Sequence, residues 1–227
     1  MPRRPRVNTG GFPYHVLNRA VGRGLLFNKP ADYESFEKAL AQTHDRLPVR
    51  IASYCLMPNH WHLVLWPQGD GDLSEFMRLL TVTHTQRWHA HHHSAGTGPL
   101  YQGRFKSYPI QQDSHFLSVC RYVERNALRA RKVERAQNWQ WCGFSRRMLA
   151  EPPSWLLPTG DWPVPFPSDW AARVNRPQSQ KELIALQNSL KRGRPYGDDR
   201  WSLQTARALR LESSLRPRGR PRHEEER

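Results

Sequence analysis

The chain has 227 residues, of which only 37% are hydrophobic, with 19 prolines and a formal charge of +15 at pH 7; that length holds one good core, or a medium core with an extended tail, and the composition favours the second. A charge so far from neutrality calls for a polyanionic partner, with nucleic acid the first candidate. Membrane partners are disfavoured, because the basic start Met-Pro-Arg-Arg-Pro-Arg is neither an amphipathic helix nor a lipidation signal, no apolar run approaches the roughly 20 residues of a spanning helix, and no secretory h-region is present.

The expected location is the cytoplasm, in association with the nucleoid. Cys55, Cys120 and Cys142 have no paired spacing and an odd count, so they read as small core residues rather than as a disulfide frame or a zinc site.

Residues 1–11 form a basic arm. Residues 12–18 alternate as a first strand, with Pro13 marking a strand start or edge. Asp32 is placed as an N-cap, followed at helical spacing by Tyr33, Phe36, Leu40, Thr43 and Leu47. Segments 49–57 and 60–66 make a hairpin about Pro58-Asn59. A second helix starts after Asp72 or Ser74, carries Phe76, Leu79, Leu80 and Val82, and runs to about Trp88, before a loop rich in His and Gly. A strand over 105–111 follows, then a helix with Ser114 as its cap and Phe116, Cys120, Val123 and Ala127 on the buried stripe.

This order is that of the split β-α-β unit: an α+β, ferredoxin-like antiparallel sheet with helices on it, spanning 12–150. From 151 to 227 the prolines cluster and two short helical segments appear (180–190 and 201–209), which reads as a Pro-rich linker and a basic, partly extended C-terminal DNA-binding region.

Strand alternation turns His60, His62, Val64 and Trp66 to one face and Trp61, Leu63 and Leu65 to the other. Two imidazoles side by side can converge on one ion, but two ligands suit only an open site completed by another side chain, water or substrate oxygens. Taken alone, His-x-His on a strand is weak evidence of metal. The stretch Cys-Arg-Tyr-Val-Glu-Arg-Asn-Ala-Leu-Arg-Ala supplies the missing parts, since Tyr122 and Asn126 are spaced i, i+4 and stack on one helical face. A phenol is a weak nucleophile until a nearby cation polarises its target, and Asn126 has a carbonyl oxygen to complete the metal shell. His84, His89, His91, His92 and His93 lack cysteine partners and read as a loop on the substrate side or in solvent.

The segments YHVLNR (14–19), SYCLMPNHWHLVLWP (53–67), LYQGRFKS (100–107) and RYVERNALRA (121–130) resemble the single-tyrosine HUH transposases, and among them the REP-associated tyrosine transposases. The resemblance covers nearly the whole chain, including RGRPYGDDRW (192–201) and LRPRGRPR (215–222). It implies Tyr122 as the catalytic tyrosine and His60, His62 and Asn126 as ligands of Mg2+ or Mn2+. It also implies a metal-dependent endonuclease and strand transferase that cuts single-stranded DNA near a hairpin, leaving a 5′-phosphotyrosine and a 3′-hydroxyl, with no nucleotide cofactor or small-molecule substrate. The family commonly has Asn-Pro-Val-Arg-Ala-Gly where this chain has Asn126-Ala127-Leu128-Arg129-Ala130-Arg131, so the helix is expected to run further here.

Candidate phosphate contacts are Arg3, Arg4 and Arg6 of the arm, with Arg19, Arg23, Arg104 and Lys106 flanking strands. Pro217-Arg218-Gly219-Arg220-Pro221 resembles an AT-hook core, in which Arg218 and Arg220 enter a narrow minor groove. Rival readings are a rolling-circle initiator or relaxase, which usually has further histidines or a second tyrosine near the nucleophile, and a non-catalytic protein that only binds hairpins. An RNA-binding module would instead want exposed aromatics where His60 and His62 stand. Monomer and homodimer are both open.

Overall fold

The computed structural model describes residues 9–216. Arg3, Arg4, Arg6, Arg218 and Arg220 therefore lie outside the described residues. Four strands, β1 (Tyr14–Arg19), β2 (Arg50–Met57), β3 (His60–Trp66) and β4 (Lys106–Pro109), form one sheet in the order β2-β3-β1-β4, every neighbouring pair antiparallel. With α1 (Pro30–Arg46), α2 (Asp72–His91) and α3 (Ser114–Glu124) between and after them, this is the ferredoxin-like arrangement that the alternating patterns predict.

The pleat sends the two sides of the sheet into different cores. Tyr14, Val16, Tyr54, Leu56, Trp61, Leu63 and Leu65 pack against Phe36 and Leu40 of α1 and Phe76 and Leu80 of α2. On the opposite face Cys55, Met57, Val64 and Tyr108 pack against Phe116, Val119, Cys120 and Val123 of α3. A bulge between Ile51 and Ser53 lets Ile51 and Tyr54, three positions apart, enter the same core. All three cysteines are buried and free.

Several local details differ from the sequence expectation. Asp32 is not the N-cap of α1. Pro30 fills the first helical position after Lys29, and the Asp32 carboxylate reaches back to accept from the backbone N–H of Asn28 (2.8 Å) and Lys29 (3.1 Å). Asp113, rather than Ser114, caps α3, its carboxylate accepting from the N–H of His115 at 2.8 Å. The helix α2 runs on to His91, so His84, His89 and His91 are helical and only His92 and His93 enter the turn. His84 is buried, with its Nδ1 2.6 Å from the Tyr101 hydroxyl.

The largest departure lies at the end of α3. Instead of running on, the helix stops at Glu124 and a separate short helix, α4 (Asn126–Arg129), begins after Arg125. The missing proline does not lengthen it. The break faces the helix α6 (Trp170–Asn175), whose terminal carbonyls at Val174 and Asn175 accept from the Arg125 guanidinium at 3.1 and 2.6 Å. Arg121 likewise donates to the carbonyls of Arg176 and Pro177. Helix C-termini favour such cations.

Beyond α4 the chain continues through α5 (Gly143–Arg147), α6, α7 (Gln180–Arg192) and α8 (Asp199–Ala208). The Pro-rich stretch read as a linker is packed: Trp162, Trp170, Val174, Leu186 and Tyr196 belong to the core beneath α3. This region also supplies single backbone bridges along the sheet margins, Ile51 to Leu156, Cys55 to Cys142 and Ile110 to Tyr196. No helix among the described residues is long and apolar enough to cross a membrane.

Candidate active site

The site lies on the α3 face, at the end of the sheet where β1 and β2 finish and β3 begins. His62 stands between Leu17 of β1 and Cys55 of β2, and His60 between Arg19 and Met57. Alternation thus puts both imidazoles on the side covered by α3, as the sequence implies, with ring centroids 5.1 Å apart.

Two further groups close over them. The Tyr122 ring, 7% exposed, stands edge-on to His62 with centroids 5.9 Å apart. Asn126 is 4% exposed. The expected single helical face carrying both is replaced by two short helices, with Asn126 and Ala127 of α4 buried. Tyr122 and Asn126 remain neighbours through Arg129, which contacts both.

The structure also brings in a histidine that the sequence reading missed. His15 of β1 is fully buried and lies parallel to His62, ring centroids 5.0 Å apart and 8° from coplanar orientation, with its Nε2 2.8 Å from His62 Nδ1. The Tyr122 ring is edge-on to His15 as well, at 5.9 Å. His15 and His62 come from strands far apart in the chain, so only the β1–β3 register reveals the pair. Alternation from Arg19 back through Leu17 to His15 was the available signal.

Burial, reinforced by the charge of Arg129, pulls the pKa of His15 down to about 3. Burial, then Arg19 and Arg129, lowers that of His60 to about 4. His62 falls well below the ordinary imidazole value, chiefly through burial and then through His15 and His60. All three rings are neutral near pH 7, the form in which imidazole ligates a metal.

One nitrogen of His62 is engaged by His15, an arrangement that fixes the tautomer and orientation of a metal-ligating histidine. If His62 ligates Mn2+, His15→Ala is expected to raise the Mn2+ concentration needed for half-maximal DNA cleavage by about 10- to 100-fold. A metal titration of DNA cleavage checks this, and an unchanged midpoint would remove His15 from the site.

The predicted cationic residues separate into groups. Arg19, opposite His60, is exposed beside the imidazoles, and Lys106, opposite Leu17, is exposed on the same face. Arg23 is exposed in the turn after β1, with a left-handed φ of 61°. Arg104 lies elsewhere: with Asn18, Arg78, Thr81 and Tyr101 it lines a cleft of about 550 Å³ beside α2. Among the described residues no cluster of three or more His, Cys, Asp or Glu is arranged to hold a metal, so any ion at His60 and His62 depends on Asn126, water or substrate for its remaining ligands.

The model of the family described as IS200-like transposases matches residues 9–126, a span that opens just before β1 and closes on Asn126. This chain belongs to that family. A Haemophilus influenzae protein assigned to the REP-associated tyrosine transposases is 24% identical over 135 residues, covering 55% of this chain and 77% of that protein. The solved structure of a REP-associated tyrosine transposase bound to a REP hairpin is similar with a TM-score of 0.55 at 19% identity, covering 70% of this chain and 92% of that one. The likeness to that structure is one of fold. It places the IS200-like family sheet, and with it the His-x-His strand, in a known architecture.

Proposed function

We propose that this member of the IS200-like family is a metal-dependent single-stranded DNA endonuclease and strand transferase acting at hairpin-forming DNA of the REP type. The observation that carries the reading is the meeting, on one buried face, of a phenol and two neutral imidazoles from a distant strand. A REP hairpin is the ligand of the similar solved protein, and the charge of +15 suits the same class of partner.

Tyr122 Oη attacks the scissile phosphorus. The bond from phosphorus to the 3′ oxygen breaks, that oxygen takes a proton from water to become a 3′-hydroxyl, and the phenolic proton passes to solvent. The phosphodiester energy stays in the 5′-phosphotyrosine, so attack by another 3′-hydroxyl reseals the strand without a nucleotide cofactor. His60, His62 and the Asn126 carbonyl would hold a divalent ion, Mg2+ or Mn2+, with open positions for water and phosphate oxygens, the donors that such ions prefer. Bound there, the ion would polarise the phosphate as a Lewis acid. Arg19 and Lys106, exposed on the same face, are placed to meet the backbone of the strand entering the site.

Incubating the protein with a single-stranded REP hairpin and Mn2+ is expected to give a protein–DNA adduct that survives denaturation. Chelation with EDTA should abolish it, and added Mn2+ or Mg2+ should restore it. An adduct indifferent to EDTA would remove the metal from the mechanism; tight binding that never yields an adduct would leave only a hairpin-binding protein.

A further inference from the structure

Arg129 has no part in the reading above, yet its side chain occupies the middle of the site. The break at Arg125 turns α4 back so that the Arg129 guanidinium lies over the Tyr122 ring, 4.1 Å from its centroid. One of its terminal nitrogens, NH2, donates to Asn126 Oδ1 at 3.1 Å. Because a guanidinium only donates, this contact fixes which way the Asn126 amide faces. Its other terminal nitrogen, NH1, is buried and has no hydrogen-bond partner among the described residues.

A cation on a tyrosine face is held by the ring quadrupole and can remain there while its free N–H groups bind something else. A buried donor with no acceptor among the described residues is a position that a bound oxygen can fill. The acceptor must sit beside the nucleophilic ring, in reach of the imidazole pair, and suit a planar fork. A phosphate oxygen meets each condition.

We propose that Arg129 is a working group of the site: it holds the Tyr122 ring and the Asn126 carbonyl in place while its unpaired NH1 takes a non-bridging oxygen of the scissile phosphate. This rests on the assignment of Tyr122 as nucleophile. Charge accumulates on the non-bridging oxygens as the phenol oxygen approaches, so the contact strengthens in the transition state and acts on rate more than on affinity.

The test is single-turnover adduct formation at saturating protein and Mn2+, with hairpin affinity measured separately in a Tyr122→Phe background. Arg129→Lys and Arg129→Ala are each expected to slow the reaction by about 100-fold or more, while hairpin affinity changes by less than tenfold. Lysine keeps the charge but not the fork, so it should not substitute. Added guanidinium should restore part of the Arg129→Ala rate, which a purely structural role would not allow.

The proposal is overturned if Arg129→Lys reacts within about threefold of the unaltered protein, if guanidinium leaves the rate of a folded Arg129→Ala protein unchanged, or if the whole loss lies in affinity. Should Arg129→Ala fail to fold, Arg129→Lys decides alone. An unaltered protein that forms no Tyr122-dependent adduct defeats the proposed function instead, before Arg129 is tested.

Discussion

Tyr122→Phe is expected to abolish the covalent adduct, a loss of about 1,000-fold or more, while leaving the fold and hairpin binding intact. The reason lies in which part of the side chain the protein uses. His15 and His62 meet the edge or face of the ring, and Arg129 stacks on it; phenylalanine preserves these contacts. The contacts that hold Tyr122 are made by its ring, so removing the hydroxyl should cost no more than about 0.5 kcal/mol, as for substitutions away from special features.

The outcome that sinks the assignment is an adduct of undiminished yield. The next tyrosine in line would then be Tyr108, whose ring lies 5.1 Å from His15. Its hydroxyl, however, is buried, and burial pushes its pKa well above that of free tyrosine. A phenol that burial keeps protonated in this way is a poor nucleophile.

Glu124→Ala should be the most destabilising single change outside the cores, costing about 3–5 kcal/mol. Glu124 is fully buried two residues after the proposed nucleophile. It accepts from Ser53 Oγ at 2.9 Å, from Arg147 at 2.6 Å and from the Trp170 indole at 2.8 Å. The Arg147 guanidinium also donates to the carbonyl of Ala52. Truncation would leave a largely buried cation without its counter-charge, and separate α3 from β2, α5 and α6 in one step. Gly143 sits close against this group, and an added Cβ there would lie 3.3 Å from Glu124, Arg147 and Tyr54 atoms. Urea unfolding followed by circular dichroism measures the effect, and a loss below about 1 kcal/mol would mean that the network is replaced by water at little cost. Glu124→Gln keeps the acceptor oxygen and should be milder.

His60, His62 and Tyr122 were legible as candidates because two local periodicities report them. A period of two places His60 and His62 on one face, and helical spacing places Tyr122 on the margin of a buried stripe. What stayed hidden depends on contacts between segments remote in sequence. The stop at Glu124 goes with the hold of Arg125 on the α6 carbonyls, some fifty residues on, and no feature of Asn126-Ala127-Leu128 announces it. His15 acquires its meaning only from strand pairing. The stretch after Ala150 reads as extended from its prolines alone; that it is packed follows from Trp162 and Trp170, whose partners are Phe116 and Glu124 of α3. The caps failed for a smaller reason. Asp32 and Ser114 are both plausible caps, but Pro30 and Asp113 stand earlier and take the helix start.

The bridges that residues 142, 156 and 196 make along the sheet margins bear on how two copies can meet. With those backbone groups already engaged, side-by-side fusion of two sheets into one continuous sheet is closed to the folded chain at these positions. A chain cut before Leu156 would reopen that margin, and with it the tendency of bare strands to recruit one another into insoluble aggregates.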